Sequence, residues 1–437
     1  MKAVEEAKNW FEQILKQDDV PAEQSLPTWL IDYRQSAKEA FKQQLMPHRK
    51  QEAWRYTSLN KLQENSFHLA SNTATIRQEI EVQSEWLGDS DNYRVVFVDG
   101  CYRPELSQLE GLPESCYLGS LSAALTNQSE QLSQWLGQAV DDNPSIFTQL
   151  NNAMIKDGLF LYVPAGLHIE AAIEVLYISG SLDSLSLLQP RNLVVLEDGA
   201  QATLCERFIS LNEQVHFNNV VSEVFLSQQA VLNHIQLQQQ NRQAFYINQL
   251  HLSLAAQSDY TGTYLAIGSA MARTELNLDF KQAAAKCCLN GLYTVADAQL
   301  LDFHLNINHA VPGCHSHTNF KGVLFGKGRA VFDGSIVIAK DAQKSEAHLS
   351  NDNLLLTRKA EIDTKPQLEI YADDVKCSHG TTVGQLEEEQ VFYLRSRGFN
   401  EQAARKILAM GFAREVLANI KITTIKDALE KILEGVF

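Results

Sequence analysis

The stretch DDVKCSHG, Asp373 to Gly380, sets a thiol and an imidazole two residues apart, at Cys377 and His379. On an extended strand that spacing puts both side chains on one face. Thiolate and neutral imidazole both bind iron and zinc, and histidine replaces cysteine on some iron–sulfur clusters. A cysteine beside a histidine is also the pairing of a nucleophile with its base. Side chains that point alike along a strand, however, rarely make the hydrogen bond such a dyad needs. The third reading is a polar bend where a strand ends. As ligands the two residues are incomplete, and the remaining ligands have to come from elsewhere, including another chain.

A second group lies in GCHSHTNF, where His315 and His317 share one strand face and Cys314 and Ser316 the other. Two histidines so spaced can grip one metal ion from the same side, with no clear third ligand nearby; the alternative is a polar surface. His304 and His309, in FHLNINHA, fall on opposite faces of a regular strand and do not obviously join them. GVLFGKGRA comes near a phosphate-binding loop, but it is one residue short. Gly328 also stands where the Mg²⁺-binding hydroxyl belongs, so no nucleotide site is expected. There is no H-E-x-x-H and no G-x-S-x-G to anchor a zinc protease or a serine hydrolase. Asp333, Glu361 and Asp363 are the acids available to a carboxylate pair of the kind that cleaves glycosides, and they read as corner residues.

The elements that must position these groups follow from composition and periodicity. The 437 residues suffice for two or three packed units. A formal charge of −16 argues against nucleic acid and against anionic membrane as partners. No apolar run reaches the roughly 18 residues of a membrane span. The opening MKAVEEAKNWFEQILKQ reads as an amphipathic helix with Val4, Ala7, Phe11, Ile14 and Leu15 on one face, not as a signal peptide. A cytoplasmic location is expected. The seven cysteines are scattered, without a C-x-x-C, and a disulfide framework is not expected.

Three textures succeed one another. Residues 1–156 are mostly helical, with YRVVFVDGCYRPELS as a hairpin near 93–107 turned by Asp99-Gly100. KQEAWRYTSL, with Trp54 and Tyr56 alternating, reads as an anchor of this region to the core. Over residues 157–385 strand alternation takes over. Corners at Gly199-Ala200, Gln229-Ala230, Gln257-Ser258 and Lys286-Cys287 recur about every 28–30 residues, the mark of stacked coils. A two-sheet sandwich is the rival, but the tight hairpin turns it needs are scarce. Bare strand edges at the ends of a solenoid have to be covered, and the helical flanks could do so. Residues 386–437 are helical again: EEEQVFYLRSRG stops at a glycine, NEQAARKILAMGFAREVLANI starts on an asparagine cap, and TTIKDALEKILEGVF starts on a threonine cap. Their apolar faces either pack on one another or form a docking surface for another subunit.

The block AEIDTKPQLEIYADDVKCSHGTTVGQLEEEQVFYLRSRG, Ala360 to Gly398, resembles the signature of the SufB/SufD family of iron–sulfur cluster assembly scaffolds. KQEAWRYTSL, VFVDGCYRPELS, DGLFLYVPAG and GRAVFDG are similar to other elements of that family, so the resemblance spans most of the chain. Ser378-His379-Gly380, and Leu394 after Phe392-Tyr393, resemble the SufD branch rather than SufB, which has a Glu-His-Glu element and a cysteine at these places. The resemblance implies a right-handed parallel β-helix core between N-terminal and C-terminal helical domains. It implies a scaffold and not an enzyme, pairing with SufB and binding the SufC ATPase through the C-terminal helices, with no nucleotide bound by this chain itself. It implies that His379 contributes to a transient iron–sulfur cluster site shared with SufB at the subunit interface, with Cys377 near it. ATP-driven approach of two ATPase subunits would then shear that interface and open it to iron and sulfur. A homodimer is a further possibility. The competing expectation is a stand-alone β-solenoid metal-binding enzyme, built on His315 and His317.

Overall fold

The computed structural model describes residues 13–15, 26–70, 85–141, 143–180 and 185–437. The amphipathic helix expected at the start of the chain lies outside the described residues except for 13–15, where Ile14 is buried. Five helices of eight or more residues are labelled in chain order: α1 (Thr28–Gln43), α2 (Ile146–Ala153), α3 (Glu388–Ser396), α4 (Glu401–Arg414) and α5 (Thr423–Val436). Between α2 and α3 the chain is nearly all strand, and consecutive strands fall alternately into two sheets. From Arg191–Leu196 onward, each coil gives one strand to each sheet, for about seven coils in all. The architecture is a parallel β-solenoid with helices at its termini, as the alternation and corner spacing predict.

Strands of successive coils pair in parallel and in register, so that residues stack in columns. One inward column of the second sheet reads Leu204, His234, Gly262, Leu289, Thr318, Leu349 and His379. Its neighbour reads Ala202, Leu232, Tyr260, Cys287, Ser316, Ala347 and Cys377. Each inward side chain is covered above and below only by the adjoining coils, and large and small residues must alternate to fill the lumen. A Cβ on Gly291, for example, would come within 2.1 Å of the Phe320 ring.

The corners share one device. Gly199, Gln229, Gln257, Ala284, Gly313 and Lys344 all have positive φ. Each precedes a small residue that is fully buried: Ala200, Ala230, Ser258, Ala285, Cys314 and Ser345. The backbone N–H of each left-handed residue donates to a corner carbonyl of the next coil, as from Gln257 to Ala283 and from Lys344 to Asp374. Three of the expected corners fall where they are read. The fourth is at Ala284-Ala285, because Lys286 and Cys287 already belong to the strand Lys286–Val295.

The two ends of the stack differ. The N-terminal end finishes in short strands: Tyr117–Ser120, antiparallel to Leu159–Val163, and Cys101–Tyr102, which turns back from Tyr93–Val98 through Asp99 and Gly100, both at positive φ. This is the expected hairpin, and its first strand also extends the solenoid by pairing with Ile173–Ser179. Helix α2 is locked onto the first sheet by Asn151, whose amide donates to the Pro190 and Asn219 carbonyls. The C-terminal end finishes in two long edges, Glu361–Ile370 and Lys376–Gly384, with no further strand on either among the described residues.

The C-terminal helices do not form a free hairpin. They lie on the outer face of the second sheet, over an aliphatic patch in which Leu237, Leu265 and Leu292 stack in register and Val323 and Leu354 stack two residues further along their strands. Ala409, Met410 and Ala413 of α4 and Ile425, Leu429 and Leu433 of α5 are buried in the same cluster. Asn400 caps α4 as expected, its side chain accepting from the Ala403 N–H at 2.8 Å. Helix α5 has Ile422 at the cap position instead of a threonine, and Thr424 donates to Asp89 of the N-terminal region at 3.1 Å.

KQEAWRYTSL is the anchor its alternation suggests. Arg273, buried on the outer face of the first sheet, lies 3.9 Å from the Trp54 ring centre and donates to the Ala53 carbonyl at 2.9 Å and to Asp302 Oδ2 at 2.6 Å. Thr57 Oγ1 donates to the same carboxylate at 2.5 Å. Burial alone would raise the Asp302 carboxyl, but Arg273, His304 and the hydrogen bonds from His304 and Thr57 outweigh it and hold it well below the usual carboxylate range. A depressed folded-state value stabilises the fold above the unfolded value of about 3.9 and loses that contribution as pH falls further. Glu275 also pairs with Arg273 at 2.6 Å, so Asp302→Asn removes one of two counter-charges and is expected to cost about 1–3 kcal/mol at pH 7. The gap in urea midpoint between variant and wild type should narrow below about pH 4; a gap independent of pH would contradict this account.

Candidate functional site

Cys377 and His379 lie on the last strand, Lys376–Gly384, in register with Ala347 and Leu349. Ala347 and Leu349 are buried in the solenoid core. The strand parity read from the sequence therefore holds, and both side chains are on the inward face. They continue the lumenal columns one step past the last complete coil. No coil follows among the described residues, and the columns stop in the open: His379 is exposed and Cys377 half-buried.

Two other titratable groups of the DDVKCSHG stretch, Asp374 and Lys376, are engaged along the corner and the outer face. Asp374 pairs with Lys344, and Lys376 Nζ with Glu346 Oε1 at 2.7 Å. His379 has no hydrogen-bond or ion-pair partner among the described residues, and no hydrogen bond joins it to Cys377. Burial pushes the Cys377 thiol up, opposed by a backbone hydrogen bond from Ala347. A thiol raised in this way and lacking a base is not an activated nucleophile. What the geometry presents is a soft sulfur and an imidazole on a common lumenal face of the last strand, with no coil beyond them among the described residues.

The surroundings are apolar where a partner could reach. Val383, on the same edge strand, and Ile370 and Tyr371, at the end of the other edge, are exposed. So are Phe392, Tyr393, Phe399 and Ile407 in the C-terminal helical segment. The two edge strands leave a row of backbone donors and acceptors unpaired over nine and ten residues.

The other candidate groups are placed as follows. His315 and His317 are both exposed on the outer face of the second sheet, with Cys314 and Ser316 turned inward. Among the described residues no three His, Cys, Asp or Glu side chains converge as a metal cage. His304 and His309 take opposite faces as expected. His304 joins the Arg273 cluster, and His309 is buried beside Ser316 at 2.8 Å. Asp333, Glu361 and Asp363 are strand residues rather than corner residues, and Lys365 and Arg329 engage them at 3.7, 3.8 and 2.7 Å.

Two features escape a linear reading. His348 stands beside His317 only because the coil length brings their strands into register. Inside the lumen, Glu206 accepts from His234 Nε2 at 2.8 Å and from the Tyr177 hydroxyl at 3.0 Å, and His234 Nδ1 lies 2.8 Å from the Tyr260 hydroxyl. The signal for both would have been polar residues recurring one coil apart.

Taken as a class, this is a β-solenoid protein with one end closed by short strands and the other left open, carrying a Cys and a His on its lumenal side. Family models place it further: the SUF system FeS cluster assembly, SufBD core domain, matches residues 177–412, and the SufBD protein N-terminal region matches residues 5–175. The chain belongs to the SufBD family of iron–sulfur cluster assembly proteins. It is 34% identical to an iron–sulfur cluster assembly SufBD family protein of Synechocystis, over 92% of this chain and 90% of that one. It is 32% identical to the iron–sulfur cluster assembly protein SufD of Escherichia coli, over 87% of each. It is 27% identical to the chloroplastic protein ABCI7 of Arabidopsis thaliana, over 96% of this chain and 88% of that one.

The thiol environment gives a direct check. In the isolated chain, Cys377 is expected to be alkylated slowly at pH 7, its rate rising only beyond the ordinary thiol range near pH 8.5. Mass spectrometry of iodoacetamide-treated protein across pH reads this out; fast labelling at pH 7 would mean an activated thiolate.

Proposed function

We propose that this chain is a SufD-type scaffold subunit on whose open solenoid end an iron–sulfur cluster is built together with a SufB partner. The observation that carries the reading is the position of Cys377 and His379: inward-column residues on a coil that has no successor. A second subunit presenting its own terminal strands would continue the pairing, cover Val383 and supply the missing ligands. The cluster is cargo in this scheme, held in transit between two chains, with His379 as the imidazole ligand and Cys377 as the adjacent thiol. The chain itself acts as a scaffold in the cytoplasm and performs no turnover. The same edges could pair two copies of this chain when no partner is present.

The C-terminal helices take the SufC ATPase on the side turned away from the sheet, where Phe392, Tyr393 and Ile407 are exposed. ATP-driven approach of two such ATPases would shear the subunit interface and uncover Cys377 and His379. The free energy comes from contacts that differ between the nucleotide states. A stand-alone enzyme built on paired carboxylates is disfavoured by the engagement of Asp333, Glu361 and Asp363 with Lys365 and Arg329.

The test is co-expression with SufB and SufC, followed by anaerobic reconstitution of wild-type and His379→Ala complexes. The expected result is an intact complex that has lost most of its cluster absorbance. Undiminished cluster in the variant, or failure of wild-type chains to associate, would refute the proposal. In the assembled complex, alkylation of Cys377 should quicken on adding ATP; indifference to nucleotide would remove the shear step.

A further inference from the structure

The outer face of the second sheet carries a pair of histidines that the assembly reading does not use. His317 and His348 occupy directly opposed positions on the adjacent parallel strands His315–Leu324 and Glu346–Leu355. Both are exposed, and their ring centres are 6.2 Å apart. Two imidazoles that ligate one ion through nitrogens at about 2.0–2.1 Å have ring centres about 5–6 Å apart. A small side-chain rotation therefore brings these rings to ligating distance.

We propose that His317 and His348 together hold a divalent first-row transition-metal ion on the outside of the solenoid, one strand in from its open edge. Nitrogen ligands select ions such as Ni²⁺, Cu²⁺, Zn²⁺ or Fe²⁺ over Mg²⁺ and Ca²⁺, which prefer oxygen. His348 is oriented for this role by Ser378, whose Oγ lies 2.7 Å from Nδ1. With Nδ1–H donating to that hydroxyl, the Nε2 lone pair is free for the metal, as in the outer-shell hydrogen bonds of other histidine ligands.

His315 is not the better partner for His317, although the two are near in sequence. Residues two apart along a strand are separated by about 6.6 Å, whereas neighbours on paired strands are about 4.8 Å apart. His315 belongs to a separate column, its Nδ1 3.4 Å from Glu346 Oε2, and Glu346 is itself held by Lys376. Cys288 follows His317 on the other side of the histidine column, half-buried and in contact with the Asn290 amide. No third ligand closes on the pair among the described residues. The protein thus supplies two ligands, and the remaining positions stay open to water or to groups on whatever brings or takes the ion. Such a site exchanges its metal readily. It lies on the opposite face of the sheet from His379, with Ser378 between Cys377 and His379 linking the two faces. The inference does not depend on the assembly reading.

The experiment is calorimetric titration of the full-length chain with Ni²⁺ alone at neutral pH, comparing wild type with His317→Ala, His348→Ala, His315→Ala and His379→Ala. All four side chains are exposed, so the fold is not at stake. His317→Ala and His348→Ala should each weaken the tightest binding event roughly tenfold or more, and His315→Ala and His379→Ala should leave it within about twofold. Unchanged affinity in His348→Ala, or an equal loss in His315→Ala or His379→Ala, would overturn the assignment.

Discussion

A parallel stack of coils satisfies each coil only by means of the next. Every inward residue between the ends of the Leu204-to-His379 column has its upper and lower faces covered by neighbours, and every interior strand finds its hydrogen-bond partners in the coils on either side. Such a stack cannot complete itself at its ends. At one end the chain solves this with strands only two and four residues long, which offer little edge to a neighbour. At the other it presents edges of nine and ten residues, and the column residues there are a thiol and an imidazole instead of aliphatic side chains. The incompleteness of the fold and the incompleteness of the ligand set thus fall at one place.

Much of the architecture was legible in the sequence because the stack is regular. Strict alternation fixed which residues of VKCSHG and CHSHT share a face, and both assignments hold. The corner recurrence revealed the coils, and the resemblance to the SufB/SufD family over Ala360 to Gly398 agrees with the family models. Details that depend on stacking across coils were not legible. A left-handed alanine at 284 has no polar signature, so that corner was read two residues late. The contact of His317 with His348 depends on the length of one particular coil. The partners of the C-terminal apolar faces are not legible because Leu237, Leu265, Leu292, Val323 and Leu354 look like ordinary strand residues until the stacking of coils gathers them into one patch.

The polar groups divide in a similar way. Those that look reactive in isolation, such as Asp302, Glu206 and His234, are consumed by internal partners: Asp302 by Arg273 and Thr57, Glu206 and His234 by each other and by tyrosines. Among the described residues, His317 and His379 are exposed imidazoles with no hydrogen-bond partner, whereas the unpartnered His251 ring is buried out of reach of a ligand. Surplus coordination capacity, rather than the mere presence of histidine or cysteine, is what distinguishes a site from a structural network in this molecule.

The aliphatic patch beneath α4 and α5 has a mechanical meaning. Its five members come from five successive coils, so the helical block is clamped along about 19 Å of the stacking axis. A tether attached at a single point would yield under load, whereas a splint bonded along this length behaves as one piece with the body beneath it. Torque applied to those helices would accordingly turn the whole barrel of coils as a rigid lever, with its working tip at the open rim.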